Sequence, residues 1–177
     1  MPQSPGLSWT STTTRDWPEP ARPMTATQGS LVALRREWKD AGRRVVFTNG
    51  CFDILHPGHL ALLEAARREG DVLVVGINSD RSVRSLKGEG RPAIPEAERA
   101  ETLLALEAVD RVVVYDEETP IEVVRVLVPD VLVKGADWGA DAIVGSDVVE
   151  GTGGRVVRVA LVTGKSTTSL IHRIRRP

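Results

Sequence analysis

The 177-residue chain has a single cysteine, Cys51, so it forms no intramolecular disulfide. With three histidines, His56, His59 and His172, it also lacks the complement of a Cys/His zinc framework. Those shortages suit a reduced, intracellular protein, and a cytoplasmic location is the expectation. An excess of either charge is missing too: 23 Lys and Arg face 24 Asp and Glu, a formal net charge of -1. No global positive field then draws the chain onto nucleic acid or anionic lipid, and any basic site is local. No apolar run approaches the roughly 20 residues of a membrane span. The valine-rich runs, such as residues 72–75, are strand-sized. A repeat of about 20 to 50 residues is absent as well, which excludes solenoids and propellers.

Residues 1–28 have no apolar h-region and carry Pro2, Pro5, Pro18, Pro20 and Pro23 with hydroxyls at 11–14, the composition of a disordered tail. Arg15 and Arg22 are offset by Asp16 and Glu19 without an amphipathic period, which weakens a transit-peptide reading. Met24, the only methionine after Met1, is an alternative start. Residues 29–177 then form one domain, the size of an ordinary globular unit.

From Ser30 onward, strand-like and helix-like patterns alternate. Strands are expected at 44–48, 72–77, 111–115, 131–134 and 155–161, with a leading helix over 30–41 whose Leu31, Leu34 and Trp38 share a face. Gly70 stands where a C-cap glycine would, Pro95 and the Thr119-Pro120 pair open helices, and Pro129 closes one. This alternation is the signature of an α/β fold: a Rossmann-like, doubly wound, five-stranded parallel sheet in a single domain. Ligands bind such sheets at the carboxyl ends of the strands near the switch point, so residues just after strands carry most weight.

The stretch from Thr48 through Asn49, Gly50, Cys51, Phe52, Asp53, Ile54, Leu55, His56, Pro57 and Gly58 to His59 runs from the first strand into a helix. Pro57 and Gly58 suit a helix start, so His56 and His59 project from one face beside free backbone N–H groups. Two imidazoles and the positive helix end then converge as a phosphate site. Gly58 lets a nucleotide lie against the backbone, and Gly50 brings the turn close to phosphate. A pair of histidines at a helix start can also be a plain surface cap. Here two of the three histidines of the chain fall in one four-residue window at the switch point.

These residues resemble the nucleotidyltransferases with an H-x-G-H motif, the cytidylyltransferases and small adenylyltransferases. With Asn78-Ser79-Asp80, Leu86-Lys87-Gly88, Arg91-Pro92, Leu106-Glu107-Ala108-Val109-Asp110, Val133-Lys134-Gly135-Ala136-Asp137 and Ser166-Thr167-Thr168, the chain is most similar to the adenylyltransferase half of the bifunctional heptose-7-phosphate kinase/heptose-1-phosphate adenylyltransferases. The likeness covers about residues 40–175. It implies transfer of AMP from ATP to a sugar 1-phosphate, D-glycero-β-D-manno-heptose 1-phosphate in that branch, with release of pyrophosphate. Mg2+ would come with ATP, with few or no protein ligands. A separate sugar kinase upstream and a homodimer are further expectations.

The resemblance makes His56, His59 and Lys87 the catalytic residues, Lys87 in a stretch whose glycines let a cationic loop close over phosphates. Thr48, Asn49, Gly50, Phe52, Gly58, Lys134, Asp137, Ser166, Thr167 and Thr168 are expected at the nucleotide. Asp53, Asn78, Asp80, Arg91, Arg99 and Trp138 are expected at the acceptor. Several have plainer accounts: an Asx turn for Asp53 or Asp80, an ion pair with Glu96 for Arg99, N-caps for the Ser-Thr-Thr run, a core edge for Trp138. Cys51 reads as a small buried residue. Ile171 stands where relatives with an S-S-T-x-I-R pattern have arginine, which argues against a pantetheine-phosphate adenylyltransferase. The rivals are a cytidylyltransferase acting on glycerol 3-phosphate and a non-catalytic nucleotide-binding module.

Overall fold

The computed structural model describes residues 24–136, 143–160 and 167–174. Its chain order is β1 (Met24–Ala26), α1 (Gln28–Asp40), β2 (Val45–Gly50), α2 (Pro57–Arg67), β3 (Val72–Asn78), α3 (Asp80–Lys87), α4 (Glu96–Leu104), β4 (Arg111–Tyr115), α5 (Ile121–Leu127), β5 (Val131–Gly135), α6 (Ser146–Gly151), β6 (Arg155–Val159) and α7 (Thr167–Ile174). The strands form one sheet in the order β1-β4-β3-β2-β5-β6, and every neighbouring pair is parallel. From β2 the chain winds outward through β3 and β4, then returns to place β5 and β6 on the other side of β2. The switch point therefore lies between β2 and β5, at the strand that leads into the histidine pair.

The five expected strands are β2 to β6, each within two residues of its expected bounds. A sixth, β1, extends the sheet beside β4, with Met24 opposite Arg111 and Ala26 opposite Val113. This corrects the reading of residues 1–28 as tail: 24–28 belong to the fold. Ala26 is buried, and Thr27 closes a capping box with Ser30 that begins α1 two residues earlier than expected. A three-residue edge strand is too short to leave an alternating pattern in sequence.

Successive strand residues face opposite sides of the sheet, which builds two cores. Val45, Phe47, Val72 and Val74 pack with Leu31 and Trp38 of α1 and Val123, Val124 and Leu127 of α5. Val46, Leu73, Val75 and Ile77 pack with Leu63 and Ala66 of α2 and Ala100 and Leu103 of α4. Helices on both faces explain why β3 is buried at all seven positions. Gly70 is not the expected cap, because α2 ends on Arg68; a Cβ at Gly70 would lie 2.7 Å from Val46 Cγ2 and 2.8 Å from Arg44 O, so close approach to β2 requires glycine.

Candidate active site

The site is built on the exit from β2. Phe52 holds a left-handed backbone (φ 45°) while its side chain is buried, a strain of about 1–3 kcal/mol that tertiary contacts must sustain. The ring lies 5.1 Å from the His59 ring, centroid to centroid. A Cβ on Gly50 would approach the same ring at 3.2 Å, so Gly50 makes room for Phe52 and through it for His59.

His56 is the N-cap of α2: its backbone is extended, and its Nδ1 accepts from the Gly58 N–H at 3.2 Å. In the neutral ring that leaves the proton on Nε2, which makes Nε2 a donor. His59, one turn on, stacks on His56 at 3.8 Å with the planes 17° apart. Burial, and after it the neighbouring His56, lower the His59 pKa to about 4, so His59 is neutral at pH 7. Thr48 Oγ1, Asn49 Oδ1 and His59 Nδ1 are the buried side-chain polar atoms without a partner among the described residues. All three belong to this one site. Native proteins rarely leave such atoms unpaired, which makes this cluster the candidate ligand site.

Lys134, at the end of β5, is buried and donates to Asn49 O at 3.4 Å. Thr167 opens α7 and donates from Oγ1 to Ile54 O at 3.2 Å, which docks the start of α7 on the loop that leads into α2. Two helix N-termini, two imidazoles and a lysine thus surround the carboxyl end of β2. The Thr168 side chain, Ser166, Asp137 and Trp138 lie outside the described residues.

The residues expected at the acceptor form a buried network instead of a row of free groups. Asp53 is covered, its carboxylate accepting from Arg91 Nε at 2.6 Å, Ala93 N at 2.8 Å and Ile94 N at 3.0 Å. Burial pushes the Asp53 pKa up, but those three donors prevail and hold it below the ordinary value. Arg99 is corrected most strongly. Its guanidinium is fully buried and donates to Ile94 O, Cys51 O, Asn78 O and Asp80 Oδ1, while Glu96, the expected partner, accepts instead from the Asp80 N–H. Arg99 and Asp53 are thus engaged by the loops around the crevice, which they tie together. Asn78 is likewise buried and engaged by Ser82, Glu117 O and Tyr115. Lys87 departs from expectation in a different way: it ends α3, the helix missed in sequence, and is exposed there. Its charge is still felt at Cys51, where it opposes the effect of burial that raises the thiol pKa.

Sequence reasoning missed Tyr115, the only tyrosine, which ends β4 and is buried against this network. Its position at a strand's carboxyl end was the available signal.

The family model described as cytidylyltransferase-like matches residues 47–169. The chain belongs to the cytidylyltransferase-like family. It is 55% identical over 150 residues to the bifunctional protein HldE of Gluconobacter oxydans (strain 621H), covering 81% of this chain and 31% of that protein. It is 58% identical over 146 residues to the bifunctional protein HldE of Mesorhizobium japonicum, covering 82% of this chain and 29% of the relative. The chain thus spans about a third of the length of these curated relatives. Among solved structures, the lipopolysaccharide core biosynthesis protein from Thermoplasma volcanium GSS1 superimposes with a TM-score of 0.58 at 28% identity, covering 70% of this chain and all of that one. The family makes the protein a nucleotidyltransferase. Among the described residues no helix is long and apolar enough to cross a membrane.

Proposed function

We propose that this chain is an adenylyltransferase that moves AMP from ATP to a sugar 1-phosphate, with D-glycero-β-D-manno-heptose 1-phosphate as acceptor, to give an ADP-heptose and pyrophosphate. The observation that carries the reading is the stacked, half-buried His56–His59 pair at the start of α2, beside unpartnered buried polar atoms and faced by the start of α7. The 50 to 58% identity to HldE proteins supports the adenylyl and heptose terms.

The chemistry follows from charge. The phosphate of the acceptor has a second pKa of about 6 and is largely a dianion at pH 7, so no strong general base is required. One of its oxygens attacks the α-phosphorus of ATP in line, the bond to the bridging oxygen breaks, and pyrophosphate leaves with the electron pair. His56 and His59 stabilise charge that grows on the phosphate oxygens, aided by the N-termini of α2 and α7. A neutral His59 in the free protein suits this role, since its polarity is already oriented and a triphosphate beside it raises its proton affinity. Lys87 would neutralise the departing pyrophosphate. Among the described residues no cluster of three or more His, Cys, Asp or Glu is placed to hold a metal, and Asp53 is held by Arg91. That inventory fits Mg2+ carried by the ATP phosphates, where it would neutralise charge between them. Lys134 and Thr167 then belong to the nucleotide, and a homodimer is part of this proposal.

The test crosses ATP and CTP with heptose 1-phosphate and glycerol 3-phosphate and measures pyrophosphate release. ATP with heptose 1-phosphate is expected to have the largest kcat/KM. A larger value for CTP with glycerol 3-phosphate makes the protein a cytidylyltransferase, and nucleotide binding without release in any combination makes it a binding module.

A further inference from the structure

Tyr115 sets the direction of a hydrogen-bond relay that ends in the site. The relay is anchored at Glu117 O, a carbonyl that can only accept. Ser82 Oγ donates to it at 2.9 Å and Asn78 Nδ2 at 3.3 Å, while Asn78 Nδ2 also donates to Ser82 Oγ at 2.9 Å. The amide nitrogen of Asn78 is thereby committed to this side, and its Oδ1 faces Tyr115 Oη at 3.2 Å, with the Cys51 thiol 3.9 Å away. The tyrosine hydroxyl must then donate to Asn78, and its lone pair accepts from Asn49 Nδ2 at 2.9 Å. Burial raises the Tyr115 pKa, which keeps this proton in place at every working pH. The polarity so imposed leaves Asn49 with its amide nitrogen engaged and its Oδ1 buried and unpartnered.

A buried acceptor without a donor costs about 1–3 kcal/mol and is retained where a ligand supplies the donor. Phosphate oxygens at neutral pH only accept, so they cannot satisfy Asn49 Oδ1; a hydroxyl can. The relay crosses the carboxyl ends of β4, β3 and β2, whereas Lys134 and Thr167 place the nucleotide cradle on the β5 side of β2. The second substrate therefore approaches over β3 and β4, where the relay ends.

We propose that Asn49, oriented by Tyr115, selects the acceptor by taking a hydrogen bond from one hydroxyl of a phosphorylated sugar. This moves Asn49 from the nucleotide, where sequence placed it, to the second substrate, and it rests on the adenylyltransferase reading above. Tyr115 touches no substrate and is a positioning residue.

The test measures pyrophosphate release by wild type, Asn49→Ala, Tyr115→Phe and the double variant, with the sugar 1-phosphate and its monodeoxy analogues. Each single variant is expected to lower kcat/KM for the acceptor by about 10- to 100-fold while the KM for ATP stays within about twofold. The double variant should be no worse than Asn49→Ala, because the two act as one unit. For one hydroxyl, the penalty that wild type shows against the deoxy analogue should vanish in Asn49→Ala. A raised KM for ATP in place of the acceptor effect, additive losses, or an Asn49→Ala variant as selective as wild type overturns the proposal. Should Tyr115→Phe fail to fold, Asn49→Ala with the deoxy series decides alone, since Asn49 is only half-buried. A wild type that transfers nucleotide to no sugar phosphate overturns the functional reading and this inference together, an outcome distinct from an active wild type with indifferent variants.

Discussion

Replacing Arg99 with lysine keeps the charge and removes the fork, and the structure predicts that the change is not conservative. The guanidinium reaches Ile94 O at 2.9 Å, Cys51 O at 2.6 Å, Asn78 O at 2.9 Å and Asp80 Oδ1 at 2.7 Å, with its side chain at 0% exposure. An ammonium is a point donor on a flexible stem and cannot span three separated carbonyls and a carboxylate. If it keeps Asp80 and one carbonyl, two buried carbonyls lose their donor at about 1–3 kcal/mol each, less what their second lone pairs recover, for a loss of about 2–4 kcal/mol. Arg125→Ala is the control, since its pair with Glu122 is half-exposed on both sides and is worth under about 1 kcal/mol. Urea unfolding of both variants, with pyrophosphate release measured where each is fully folded, separates the effects. Arg99→Lys should also lose activity, because Cys51 O and Asn78 O belong to the segments that carry His59 and the relay. A loss under about 0.5 kcal/mol with wild-type turnover would refute the assignment of Arg99 as the strut of the crevice.

Three other outcomes are expected. His59→Ala should lower kcat on the order of 100- to 1000-fold with little change in ATP affinity, read by steady-state kinetics and ATP titration; an unchanged kcat leaves the histidine a structural cap. The His59 imidazole should titrate near pH 4 in the free protein and shift upward with ATP, followed by NMR. Because its unfolded value is near 6.5, the folded state should lose stability as pH falls from 6.5 to 4, by about 1–2 kcal/mol after allowance for partial exposure, and His59→Ala should abolish that slope. Removal of residues 1–29 should lower Tm by several degrees, because it deletes the β1 ladder and the Thr27 cap of α1, whereas removal of 1–23 leaves both; equal Tm values would deny β1 a structural role.

The sheet was legible because buried valine runs and helix punctuation by Pro95 and Pro120 are local signals, displaced in the structure by a residue or two. Helix α3 was not, since its sequence, Asp80 to Lys87, buries only Ser82 and Val83 and has no apolar stripe to announce it. The histidine pair was legible from spacing, as both a cap and a stack follow from H-x-G-H at a helix start. The roles of Asp53, Asn78 and Arg99 were not, because decisive partners (Arg91 for Asp53, Tyr115 for Asn78, Cys51 O and Asp80 for Arg99) lie 19 to 48 positions away in sequence, and only the folded sheet brings them together. Polar residues after strands carry the same sequence signal whether they touch a ligand or hold the loop that does.

The central claim is the bond that forms. Incubation of the protein with ATP, Mg2+ and heptose 1-phosphate, followed by phosphorus NMR and mass spectrometry, should yield pyrophosphate and a single new diphosphodiester whose mass equals AMP joined to the sugar phosphate less water. Appearance of ADP or inorganic phosphate without that diphosphodiester would contradict adenylyl transfer.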